Sequence, residues 1–108
     1  MNQAFRGEVW DVAFDEAGDH PAVVVSNHVL HERLGHLAVL LTTGTAGPRA
    51  THVPLDADAG LTGHDVSFVN VTDIHSVRKR QLLRLRGRLS PQEVRTVESR
   101  LGLYLSLG

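Results

Sequence analysis

Two apolar runs, Ala-Val-Val-Val at residues 22–25 and Leu-Ala-Val-Leu-Leu at 37–41, restrict this chain more than any other feature of its sequence. Each is too short for a helix and rich in β-branched or aliphatic side chains, so both are expected as buried, neighbouring strands. Polar residues able to do chemistry bracket them: Asp19 and His20 precede the first, Ser26 and Asn27 follow it, and Thr42 and Thr43 close the second. If the strands pair, these groups can gather at one rim of a sheet, where loops on a rigid scaffold commonly carry function. An active site is expected at that rim.

The remaining segments read as further short strands and one closing helix. Trp10, Val12 and Phe14 alternate with their neighbours at the period of a half-buried strand. Polar residues 15–19 make a turn, and Pro21 opens the next strand, where a missing backbone donor is tolerated. Residues 28–35 suit a loop or a single helical turn. Residues 51–55 form a strand that Pro54 marks as an edge. A turn at 58–63 leads to a strand at 65–71, extended again over 74–77; 79–83 suits one helical turn, and 85–89, alternating leucine with arginine, a last strand with one wet face. Ser90, Pro91 and Glu93 compose a capping box with proline at the first helical position, so a helix starts there. Val94, Val97, Leu101 and Tyr104 recur at three- and four-residue steps as its apolar stripe. This order predicts an α+β, mostly β fold: a small curled antiparallel sheet or barrel with a C-terminal helix.

A chain of 108 residues suits one domain, residues 1–108, with a single core. It has no cysteine, which excludes disulfides and thiolate metal sites and fits a reducing cytoplasm. No apolar run approaches the roughly 20 residues of a membrane span, and the first residues lack a signal peptide's apolar core; a cytoplasmic protein without membrane contact is expected. The net charge of −1 hides an asymmetry. Arg78, Lys79, Arg80, Arg84, Arg86, Arg88, Arg95 and Arg100 face only Glu93 and Glu98 in that part of the chain. Such a segment either attracts phosphates or an acidic peptide through its field, or is a solvated charged surface.

Arg6-Gly7-Glu8-Val9-Trp10, Pro21-Ala22-Val23-Val24-Val25-Ser26-Asn27, Leu41-Thr42-Thr43, Thr51-His52-Val53, Val77-Arg78-Lys79-Arg80, Gly87-Arg88-Leu89-Ser90 and the closing helix follow in an order and spacing that resemble the MazF/PemK/Kid toxins over nearly the whole chain. The resemblance implies an SH3-like barrel with added helices, a homodimer, and a type II toxin neutralised by an antitoxin whose acidic, flexible C-terminal segment wraps it. It also implies a metal-independent, sequence-specific endoribonuclease on single-stranded RNA. There a ribose 2′-hydroxyl attacks the adjacent phosphorus, leaving a 2′,3′-cyclic phosphate and a 5′-hydroxyl. In the family pattern an arginine before the Pro-Ala-Val strand and a threonine closing the next strand carry catalysis. Thr42 matches the threonine. His20 stands at the arginine position, and His75 stands in Thr72-Asp73-Ile74-His75, where a cation is usual.

This reaction needs a base, an acid, and donors for the charge of the phosphorane. Imidazole, with an ordinary pKa near 6.5, serves as either acid or base, whereas guanidinium does not readily lose its proton. His20 is therefore expected in the acid/base role, Thr42 as a donor to a non-bridging oxygen, and His75 in a supporting or second proton-transfer role. Aromatic residues are few, so RNA contacts are expected from small polar and basic groups: Asp19, Ser26, Asn27, Thr43, Arg49 and Arg78. His28, His31 and Glu32 have the spacing of one helix face but no fourth ligand, so neither a metal nor a cofactor is expected; His36, His52 and His64 receive no role. Two rival readings use the same fold without catalysis: a gyrase-binding toxin of the CcdB type, and an inactive homologue that only binds antitoxin.

Overall fold

The computed structural model describes residues 3–16, 18–56, 59–61 and 66–107. Much of the expected turn at 58–63, His64, and Asp65 at the start of the expected strand lie outside them.

Six strands form one antiparallel sheet: β1 (Glu8–Phe14), β2 (Gly18–Val24), β3 (His36–Thr43), β4 (His52–Leu55), β5 (Ser67–Arg78) and β6 (Leu82–Arg88). Their order is β4-β5-β3-β2-β1-β6. β5 and β6 stand with three strands between them, yet only a single 3-10 turn, Lys79–Gln81, joins them in sequence. A flat sheet would put those strand ends too far apart for so short a link, so the sheet curls. It does not close, because β4 and β6 remain its two edges. Pro54 lies in β4, where a strand without one ladder donor does no harm.

The curl gives the sheet two cores. On one side Val9, Val23, Leu40, Val69 and Val71 pack with Val97 of the second helix, α2 (Pro91–Tyr104); on the other Trp10, Val12, Ala22, Val24, Leu37 and Val39 pack with Val77 and Leu82. Phe14 joins the second cluster, as its alternation with Trp10 and Val12 predicts.

α2 starts as its sequence requires. Ser90 Oγ accepts from the Glu93 N–H at 3.1 Å, Glu93 Oε1 accepts from the Ser90 N–H at 2.7 Å, and Pro91 occupies the first turn. The apolar stripe is shorter than predicted: Val97 is buried and Val94 and Leu101 are partly so, but Tyr104 is half exposed. Residues 28–35 also depart from expectation. They hold a seven-residue helix, α1 (His28–Leu34), capped by the Asn27 side chain on the Val29 N–H at 2.9 Å and ended by Gly35 at φ 77°.

Candidate active site

The direction of pairing decides which polar residues meet. β2 and β3 run antiparallel with Ala22 opposite Leu41, so the start of β2 lies beside the end of β3. That brings His20 to Thr42 and Thr43. It also sends Ser26 and Asn27, which follow the end of β2, to the opposite rim, where Ser26 Oγ accepts from the Ala38 N–H at 3.0 Å. The expected gathering of all these groups at one rim is corrected accordingly.

The Pro21 carbonyl joins the central pair. Thr42 Oγ1 donates to it at 3.2 Å and His20 Nδ1 lies 3.1 Å from it. The two side chains are therefore no further apart than those contacts laid end to end. A carbonyl only accepts, so Nδ1 carries the proton. In the neutral ring the lone pair then falls to Nε2, which has no partner among the described residues.

A cavity of about 470 Å³ opens beside this pair, lined by His20, Pro21, Thr42, Thr43, Gly44, Thr45, Leu61, Ser67 and Arg86. Thr42 and Ser67 are buried. Thr43 Oγ1 accepts from the Thr45 N–H at 3.1 Å, which folds the loop after β3 over the cavity. The lining offers an imidazole, a guanidinium and four hydroxyls, and no carboxylate among the described residues. That donor-rich set suits an anion.

Arg86 comes from the far edge of the sheet. Along β6, Leu85 opposes Trp10 and Gly87 opposes Val9, so Arg86 has no partner on β1 and forms a bulge, the irregularity that re-aims a side chain. Its Nη1 donates to Asp11 Oδ1 at 2.9 Å and its Nε to the Gly60 carbonyl at 3.2 Å. Arg84 Nε lies 3.6 Å from Asp11 Oδ2, so one carboxylate faces two guanidinium groups. Gly60 has φ 76°, and a Cβ there would run into the Arg86 carbonyl; the contact between this loop and β6 requires glycine.

Of the other residues expected in the site, only Thr43 lines the cavity. Asp19 is exposed opposite Ala13. Asn27 is spent on capping α1. Arg78 lies opposite His36 at the far end of β3 from Thr42, and Arg49 is exposed with its carbonyl accepting from Arg100 Nε at 3.1 Å. His75 is not in the lining: its Nε2 is 2.7 Å from Asp73 Oδ1 and its ring meets Phe14 with centroids 5.2 Å apart. Arg86 and Ser67 are lining residues that sequence reasoning passed over.

The His28, His31, Glu32 trio serves the scaffold. His31 is buried, with Nε2 donating to the Ala4 carbonyl at 2.8 Å and Nδ1 accepting from Ser26 Oγ at 2.9 Å. Glu32 accepts from Lys79 Nζ at 2.6 Å, and that ammonium holds its carboxyl below the usual value. With both His31 nitrogens engaged, the trio cannot serve as a ligand set. No three of His, Cys, Asp or Glu among the described residues are grouped to hold a metal.

An open, curled six-stranded sheet with a closing helix and a donor-lined cavity between strand ends defines a recognisable class of small β domains. The chain is similar to an endoribonuclease in complex with its cognate antitoxin from a mycobacterial species, at 24% identity and TM-score 0.85 over 97% of each chain. It is also similar to the Mycobacterium tuberculosis toxin MazF-mt6, at 23% and 0.82 over 94% of this chain and 98% of that one. MazE-MazF from Deinococcus radiodurans matches at 20% and 0.83 over 100% of both chains. At such identities the likeness is one of fold. By sequence, no curated protein matches the chain. Residues 5–105, however, match the model of the PemK-like, MazF-like toxins of type II toxin-antitoxin systems, and the chain belongs to that family.

Proposed function

We propose that this toxin is a metal-independent, sequence-specific endoribonuclease that cuts single-stranded RNA at the cavity between β2 and β3. The observation that carries this reading is the Pro21 carbonyl shared by His20 and Thr42. By holding Nδ1–H, that carbonyl leaves His20 Nε2 as a base for a ribose 2′-hydroxyl. The 2′-oxygen attacks phosphorus, the P–O5′ bond breaks, and the leaving oxygen takes a proton from solvent at the cavity mouth. A 2′,3′-cyclic phosphate and a 5′-hydroxyl result. Thr42 Oγ1 turns its hydrogen from Pro21 to a non-bridging oxygen as charge builds there. His75 has no step in this scheme. The nucleophile belongs to the substrate, so the protein supplies a base and the groups that stabilise the developing charge.

The protein works as one domain in a cytoplasmic homodimer and is neutralised by an antitoxin with an acidic, flexible C-terminal segment. The family membership and the antitoxin complexes formed by the similar proteins support that assignment. No helix among the described residues is long and apolar enough to cross a membrane.

Purified protein incubated with a long RNA in EDTA tests the scheme. Defined cuts ending in cyclic phosphate, abolished by one 2′-deoxy substitution at the cut site, are expected. His20→Ala should remove most cleavage while keeping fold and antitoxin binding, and undiminished cutting by that variant takes His20 out of the mechanism. Intact RNA together with gyrase inhibition would replace the nuclease reading by the gyrase-binding one.

A further inference from the structure

The cavity supplies a base and a hydroxyl donor, but neither carries a fixed positive charge. A phosphodiester brings one negative charge and its phosphorane adds another, so the chemistry calls for a cation held at the place where that charge develops. From the geometry we infer that Arg86 is this cation: a residue of β6 that binds the scissile phosphate across the cavity from His20 and Thr42. The inference rests on the nuclease reading for its substrate, though the anion site stands on its own geometry.

Arg86 sits unpaired in the bulge opposite Val9 and Trp10 and lines a cavity that it shares with residues of β2, β3 and the loop after β3. Two contacts then fix the guanidinium: Asp11 Oδ1 on Nη1 and the Gly60 carbonyl on Nε. Its remaining N–H groups have no protein partner among the described residues. They form part of the planar fork that matches two phosphate oxygens. Asp11 does not cancel the charge, because Arg84 shares the same carboxylate and the cluster keeps one net positive charge. Arg86 is also only 17% exposed, so its field is screened less than that of the solvated arginines on the same strand. Pre-fixed, partly buried donors need little reorganisation during the reaction, which is the property that makes such groups effective.

The test uses full-length protein with Arg86→Gln, which keeps length without charge, and Arg86→Lys, which keeps charge without the fork. Three measurements are made on each: single-turnover cleavage of RNA, the thermal midpoint, and titration with inorganic phosphate followed by the NMR signals of the His20 ring. Arg86→Gln should lose about 10²–10³-fold in cleavage with a midpoint high enough to leave the protein folded, and Arg86→Lys should recover part of it. Phosphate should shift the His20 signals in the unaltered protein and not in Arg86→Gln. If the unaltered protein cuts RNA and Arg86→Gln cuts within about threefold of it, the inference is overturned and the nuclease reading survives. Should the unaltered protein leave RNA intact while phosphate still shifts His20 in an Arg86-dependent way, the nuclease reading fails and the anion site stands. Phosphate that moves the His20 signals in neither protein, or equally in both, refutes the role given to Arg86.

Discussion

Replacing Ser26 by alanine separates a scaffold role from an RNA-binding one. Ser26 Oγ accepts from the Ala38 N–H at 3.0 Å and lies 2.9 Å from His31 Nδ1. Since His31 Nε2 must donate to the Ala4 carbonyl, Nδ1 is the acceptor and the Ser26 hydroxyl its donor. One hydroxyl thus ties β3, α1 and the segment before β1 together. Alanine leaves the buried His31 nitrogen and the Ala38 N–H unpaired, and each such group costs about 1–3 kcal/mol. Because Ser26 is only partly buried, water can reach Ala38, so the sum is taken at about 2–4 kcal/mol. For a chain of this size that lowers the melting midpoint by roughly 10 °C or more. Urea unfolding followed by the fluorescence of buried Trp10 at fixed protein concentration gives the stability change, since a dimer's midpoint depends on concentration. RNA cleavage measured well below the midpoint should be nearly unchanged. An unaltered unfolding midpoint with lost RNA binding would refute this reasoning and return Ser26 to the RNA interface.

Gly60→Ala should act at a distance on the cavity. Its Cβ meets the Arg86 carbonyl and its φ of 76° strains any L residue, so about 1–3 kcal/mol of stability should be lost, and cleavage at a temperature where the protein is folded should fall with the displaced guanidinium. Ser90→Ala removes the N-cap of α2 and should cost about 1 kcal/mol in chemical denaturation, without affecting cleavage. The Lys79 ammonium lowers the Glu32 pKa from its ordinary 4.5, so the folded protein binds that proton less readily than the unfolded chain. The tether between α1 and the 3-10 turn is therefore complete above that value and lost as the pH falls through the lowered one. Protection of α1 amides, taken relative to the intrinsic exchange rate at each pH, should fall there, and Glu32→Gln should show the lower protection already at neutral pH.

What the sequence made legible was local. The Ser90 capping box, the edge position of Pro54 and the alternation of Trp10, Val12 and Phe14 each depend on neighbours a few residues away, and each is found as expected. The two apolar runs pair as their composition suggests. The antiparallel direction expected for the sheet already parts the two ends of the first run, which the expectation of one shared rim did not take into account: Thr42 joins His20 while Ser26 and Asn27 go to the other rim. α1 runs longer than the single turn its local sequence suggests because long-range contacts hold it: the buried His31 and the Lys79–Glu32 pair.

Arg86 shows the same limit at the site itself. In Arg84-Leu85-Arg86 strict period-2 alternation assigns both arginines to one wet face, and nothing local distinguishes them. The bulge, with Leu85 opposite Trp10 and Gly87 opposite Val9, leaves Arg86 without a partner on β1, and that pairing is a long-range property. Asp11, two strands from the cavity wall at β3, then holds one arginine at the cavity and another toward solvent. His20 and Thr42 bring no permanent charge to the cavity, and the guanidinium that lines it comes from the bulged β6. Straightening β6 by deleting Leu85 or Arg86 should therefore harm catalysis more than any single neutralisation among the exposed arginines.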